Sequence, residues 1–205
     1  MAESEAVSAI EPEERARALW YAVVSRLFYA PPDRALLDEL NAIGHDAEPE
    51  AEESPFLATW RDLQRAGEGA DPQALTEEFE SLFVGVGKAP VTPYTSAYVA
   101  PNAPDRHLLA LRDTLSGWGL ARHERVFESE DHVSALCDTM RWLIEQPAAV
   151  EDQRAFFLKF VDGGITAFCD ATIRSPLAGF YAKVCAFTAA FLDVERSAFD
   201  MYTPA

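Results

Sequence analysis

Few residues in this chain have the type and spacing to carry chemistry. The histidines are His45, His107, His123 and His132, and the cysteines are Cys137, Cys169 and Cys185. No two histidines stand four apart or in an H-x-E arrangement, the spacings that set two metal ligands on one helix face. The pair Asp131-His132 is too small a set for a metal-dependent helical hydrolase, and the cysteines never form C-x-x-C, so a metal centre is not expected. Gly85-Val86-Gly87-Lys88 is too short and too proline-flanked for a phosphate-cradling P-loop. No serine sits in a G-x-S-x-G elbow, and Cys137 and Cys185 fall on apolar stripes, so nucleophilic catalysis has no visible machinery. What remains is a set of apolar and aromatic residues before a proline-rich stretch, and the Asp131-His132 pair at a helix start. An aspartate there accepts backbone N–H bonds and suits the helix dipole, at about 1 kcal/mol on the capping scale.

Helices must position these residues, because apolar spacings of three and four dominate the chain. Pro12 to Tyr29 reads as one helix with Ala16, Leu19, Trp20, Val23, Leu27 and Phe28 as its stripe, stopped by Pro31-Pro32. Asp33 to Gly44 reads as a second. Ser54-Pro55 and Asp71-Pro72 are each an N-cap followed by a first-turn proline. They open helices carrying Trp60 and Leu63, and Leu75, Phe79, Leu82 and Phe83. Further helices follow over Asp105–Trp118, from Val133 until Pro147, and over Glu151–Cys169. A last one is expected to be capped by Ser175-Pro176. Between them, residues 84–104 hold Gly85, Gly87 and four prolines, which exclude a regular helix. Val91, Tyr94, Tyr98 and Val99 make this stretch too apolar for simple disorder, so it reads as an ordered loop. No strand series, repeat or low-complexity tract is present. The expected architecture is a single all-α domain over residues 1–205, a bundle of roughly eight helices.

The chain has 205 residues and a formal charge of −17. Residues 1–80 carry 19 acids and 6 bases, including the acidic stretch Asp46–Glu53. A nucleic-acid binder would show a basic face instead. The acidic surface suits a basic partner, although solvated helix faces account for much of it. Three cysteines fit a reducing compartment rather than a disulfide scaffold. No secretory signal is visible at the N-terminus, and the longest charge-free run, between Lys88 and Asp105, is broken by Pro90, Pro93, Pro101 and Pro104. A soluble cytoplasmic protein without a transmembrane segment is expected.

Three stretches stand in order along the chain: Glu78-Phe79-Glu80-Ser81-Leu82-Phe83, Pro93-Tyr94-Thr95-Ser96-Ala97-Tyr98 and Glu128-Ser129-Glu130-Asp131-His132. Together they resemble the signature of the TorD/DmsD family of redox-enzyme maturation chaperones: an aromatic-x-x-Leu-Phe helix end, a Pro-aromatic-x-Ser-x-Tyr loop and an E-x-x-D-H helix start. Tyr94 stands where some members have Trp. The resemblance implies a cytoplasmic, all-α, non-catalytic protein. Such a protein binds the twin-arginine signal peptide of a molybdenum-cofactor oxidoreductase subunit and assists its maturation before export. It implies a peptide-contact set of Phe79, Leu82, Phe83, Pro93, Tyr94, Ser96, Tyr98, Asp131 and His132. It implies no cofactor beyond the weak guanine-nucleotide binding of some members, and a monomer or a domain-swapped dimer.

A basic, moderately apolar peptide calls for an apolar groove with acids at its rim. Phe79, Leu82, Phe83 and Tyr94 suit the groove, and Asp131 suits a bidentate arginine contact. Two other readings stay open: a helical nucleotide-binding regulator or hydrolase using Asp131 and His132, and a generic helical scaffold.

Overall fold

The computed structural model describes residues 10–44, 54–85, 89–122, 128–146 and 148–202. His45, the stretch Asp46–Glu53, Gly87, Lys88, His123 and Pro147 lie outside the described residues. Among the described residues, ten α-helical segments follow one another: α1 (Pro12–Tyr29), α2 (Arg34–Ala42), α3 (Pro55–Glu68), α4 (Pro72–Phe79), α5 (Ser96–Val99), α6 (Pro104–Gly117), α7 (Val133–Glu145), α8 (Val150–Phe156), α9 (Asp162–Ile173) and α10 (Phe180–Met201). A π-helical turn, Phe157–Val161, joins α8 and α9 into one rod, and α5 is four residues inside the proline-rich loop. Setting those two aside leaves the eight helices expected. Among the described residues there is no strand, only an isolated antiparallel bridge between Tyr94 and His132.

Local chemistry starts three of these helices where the caps predict. Asp33 accepts from the Leu36 N–H at 2.9 Å, Ser54 from Leu57 at 3.3 Å and Asp71 from Gln73 at 3.1 Å. Each side chain satisfies one of the N–H groups that a helix start leaves orphaned. The last helix departs from expectation. Ser175-Pro176 only forms a turn, and α10 begins at Phe180 with no cap of its own. Its N-terminus is held from a distance: the Glu78 carboxylate accepts from Gly179 N (2.9 Å), Phe180 N (3.1 Å) and Tyr181 N (2.8 Å). A carboxylate on three dipole-aligned N–H groups does what a local serine would do, and it also ties α4 to α10.

The core runs through α1 against α7, and through α10 against α3 and α9. The stripe of α1 is partly as expected, with Val23, Leu27 and Phe28 buried and Trp20 packed against the core, but it is shifted at its start. Tyr21 and Val24 are buried, whereas Ala16 is exposed and Leu19 is 44% exposed. Periodicity alone could not choose between these overlapping faces, because α1 is covered by both α7 and α10. In the α8–α9 rod, Phe156, Phe157, Phe160, Val161, Ile165 and Phe168 are all buried. The wider π turn shifts the helical phase, so two neighbouring stripes face the core together. Cys137, Cys169 and Cys185 are buried free thiols. None of the described helices is long and apolar enough to cross a membrane.

Candidate functional site

The three motif stretches, far apart in sequence, meet at one end of α7. The first ends α4 and continues as a second π turn, Glu80–Val84, so the loop starts at Gly85 rather than Val84. Gly85 has φ 61°, a left-handed conformation that costs glycine little. The π turn sets Phe79 and Phe83 edge to face with ring centroids 5.3 Å apart, and both rings pack on Tyr181 of α10. The Glu78 cap therefore holds the helix end against the ring that supports both phenylalanines. Leu82 is fully buried, and its carbonyl accepts from the Val91 N–H at 3.1 Å, which draws the loop back over the helix end.

The loop is then zipped to the start of α7. Thr95 N–H donates to the Asp131 carbonyl (3.0 Å), Val133 N–H donates to the Pro93 carbonyl (3.0 Å), and the Thr95 hydroxyl donates to the Asp131 carbonyl (3.2 Å). Asp131 differs most from expectation. It is 2% exposed, and it does not cap α7. One carboxylate oxygen accepts from the Ser96 N–H at 3.3 Å and from the Ser96 hydroxyl, and the other accepts from the Ser129 hydroxyl. Asp131 thus caps α5, across the loop, and has no solvent-facing oxygen to offer a guanidinium. The cap of α7 is His132, whose Nδ1 accepts from the Ser134 N–H at 3.2 Å. That acceptor role places the ring proton of the neutral form on Nε2. Burial lowers the pKa of His132 below the usual imidazole value, against the opposing pull of Glu128 and Asp131.

Of the nine motif residues, five line one cavity of about 360 Å³: Phe79, Phe83, Pro93, Tyr94 and His132. The other four support it. Leu82 anchors the loop from the core, Ser96 and Asp131 hold each other, and Tyr98 donates its hydroxyl to the Thr92 carbonyl at 2.8 Å. Burial pushes that hydroxyl's pKa up to about 12. Five residues outside the nine complete the wall: Val84, Ala89 and Thr92 between the first two motif stretches, Tyr29 at the end of α1, and Glu128. Glu128 accepts a hydrogen bond from the Tyr94 hydroxyl, and it is the only carboxylate in a lining that has no lysine or arginine among the described residues. Its place three residues before Asp131 in the E-x-x-D-H stretch was the signal that could have identified it. Tyr29 carried no such signal beyond ending its helix.

The loop is pressed from behind by α9. A Cβ at Gly164 would stand 2.5 Å from Thr95 Cβ, closer than side chains pack, whereas one at Gly163 would meet only Val99 at 3.9 Å. Gly164→Ala is therefore expected to cost about 1–3 kcal/mol as an overpacking change and to displace Thr95 from α7. Gly163→Ala should be neutral or slightly stabilising, since alanine is the better helix former. Thermal unfolding of the two variants checks this, and equal melting temperatures would contradict the close approach.

The chain is similar to several known proteins. Residues 49–170 match the family described as nitrate reductase delta subunit. A Haemophilus influenzae protein named "Probable Tat proofreading chaperone DmsD" is 29% identical over 121 residues, 58% of this chain and 60% of that protein's length. A crystal structure of a candidate redox enzyme maturation protein from Archaeoglobus fulgidus superposes with a TM-score of 0.56 at 19% identity. That superposition covers 93% of this chain and 99% of that one, and it establishes the fold.

Proposed function

The chain belongs to the nitrate reductase delta subunit family, the TorD/DmsD grouping of redox-enzyme maturation proteins, and on that premise we propose that it is a cytoplasmic chaperone for the precursor of a molybdenum-cofactor oxidoreductase subunit. It binds the twin-arginine signal peptide of that precursor and holds it before export, without catalysing a reaction. One observation carries this reading: a cavity walled by aromatic and small apolar side chains together with Thr92 and His132, in which Glu128 is the only carboxylate and no lysine or arginine stands among the described lining residues. Such a cavity favours a cation on an apolar stem, which is the chemistry of an arginine side chain. It disfavours a nucleotide, whose phosphates find no lysine or arginine among the described lining. The arginine contact, expected at Asp131, moves to Glu128 because Asp131 is buried and already hydrogen-bonded.

Titration with a synthetic peptide carrying an Arg-Arg pair tests the proposal. Glu128→Gln should weaken binding by about 1.5–3 kcal/mol, the range for a hydrogen bond to a charged group. An unchanged affinity in that variant, or tighter binding of GTP than of the peptide, would sink it.

A further inference from the structure

Two more cavities adjoin the one just described, and Tyr29, 60% exposed, lines all three. The middle cavity, of about 380 Å³, shares Glu128 with the first and shares Asp138 and Arg141 with the third. The third, of about 480 Å³, is a trough between α1 and α2 with Leu19, Leu36, Leu40 and Ile43 along it. We propose that this trough is a second subsite of the same peptide site, taking the apolar segment of a client chain whose basic group sits at Glu128. The inference rests on the proposed function and adds where the rest of the client lies and in which direction it runs.

Charge sets the direction. The first cavity has a carboxylate and no lysine or arginine among its described lining residues, whereas the trough balances Arg26 and Arg141 against Glu39 and Asp138. A cation gains at the first and nothing net at the second, while apolar side chains gain from the 44% exposed Leu19. The junction between them indicates a polypeptide rather than a lipid tail. Arg141, whose side chain is 42% exposed, pairs through Nε with the Asp138 carboxylate at 3.6 Å, and among the described residues that shielded Nε has no partner within hydrogen-bond distance. A buried donor without an acceptor is costly, and an extended peptide supplies a carbonyl at every residue whereas an alkyl chain supplies none.

The test uses two synthetic peptides, one with an Arg-Arg pair followed by an apolar segment and one ending after the arginines, titrated into the full chain. The longer peptide should bind the unmodified protein more tightly. Leu19→Glu, at an exposed position and so compatible with folding, should weaken the longer peptide by about tenfold or more and leave the shorter one unchanged. A photo-crosslinking residue at position 19 should capture the apolar segment. Equal binding of the two peptides, or an unaltered longer-peptide affinity in Leu19→Glu, would overturn the inference while leaving the proposed function in place. Failure of both peptides to bind the unmodified protein would overturn that function as well. If Leu19→Glu instead splits a dimer with peptide affinity unchanged, the trough holds a second copy of the chain and the inference is wrong.

Discussion

Glu195→Ala is expected to lower the unfolding free energy by about 3–5 kcal/mol, the cost of removing one partner from a buried ion pair. Glu195 is 2% exposed on α10 and accepts from Arg17 Nε and Nη2, both at 2.8 Å, in a bidentate fork. The same carboxylate accepts from the buried Tyr21 hydroxyl at 2.9 Å. Arg17 also donates to Glu14 at 2.8 Å and to Gln153 of α8 at 3.1 Å, so one guanidinium ties α1, α8 and α10 together. Burial works against the Arg17 charge, but Glu195 and then Glu14 more than offset it and hold its pKa above the ordinary value. Alanine would strand both a largely buried cation and the Tyr21 hydroxyl. Glu195→Gln, which keeps an acceptor oxygen, should lose less. Urea unfolding of the three proteins measures the difference. A loss under about 1 kcal/mol would mean that Arg17 escapes to solvent and the network contributes little. The network lies away from the Tyr94 cavity, so the folded fraction of Glu195→Ala should bind peptide normally.

Asp131→Ala should cost about 3 kcal/mol, well beyond the 1 kcal/mol of a surface helix cap, and should abolish peptide binding. The substitution leaves three donors without their acceptor, namely the Ser96 N–H and the Ser96 and Ser129 hydroxyls. These donors are where the loop is pinned to α7. Once they are released, Pro93 and Tyr94 keep the bonds of Thr95 and Val133 and the Tyr94–Glu128 contact but lose the side-chain pin at Ser96, and the cavity wall they form is no longer fixed. Asp131→Asn retains one acceptor oxygen and should fall between. Chemical denaturation gives the stability, and near-ultraviolet circular dichroism of the tyrosines reports the loop. A stability loss near 1 kcal/mol with normal peptide affinity would show that the loop holds without Asp131.

Sequence by itself determined the helices and most of their faces. Repeats of three and four residues, with an N-cap and a first-turn proline, are local signals, and local backbone hydrogen bonding is what makes a helix. For that reason α1, α3 and α7 begin within a residue of where Pro12, Ser54-Pro55 and the Asp131-His132 pair place them. The three motif stretches were also legible, because each is a short run of particular residue types. Tertiary structure alone decided which partner each polar group takes. Asp131 reads as the cap of its own helix, but the approach of the loop gives its carboxylate the N–H of Ser96, 35 residues away, and His132 takes over the local cap. Ser175 reads as the start of α10, but Glu78, about a hundred residues earlier, binds three N–H groups there at once. A carboxylate meeting several aligned donors outcompetes a single hydroxyl, and no spacing rule along the chain contains that meeting. The division of the motif into five residues that line the cavity and four that hold it has the same origin. Burial depends on which surfaces meet, and Gly164 shows this most plainly: an unremarkable helical glycine in sequence is where α9 lets Thr95 come close.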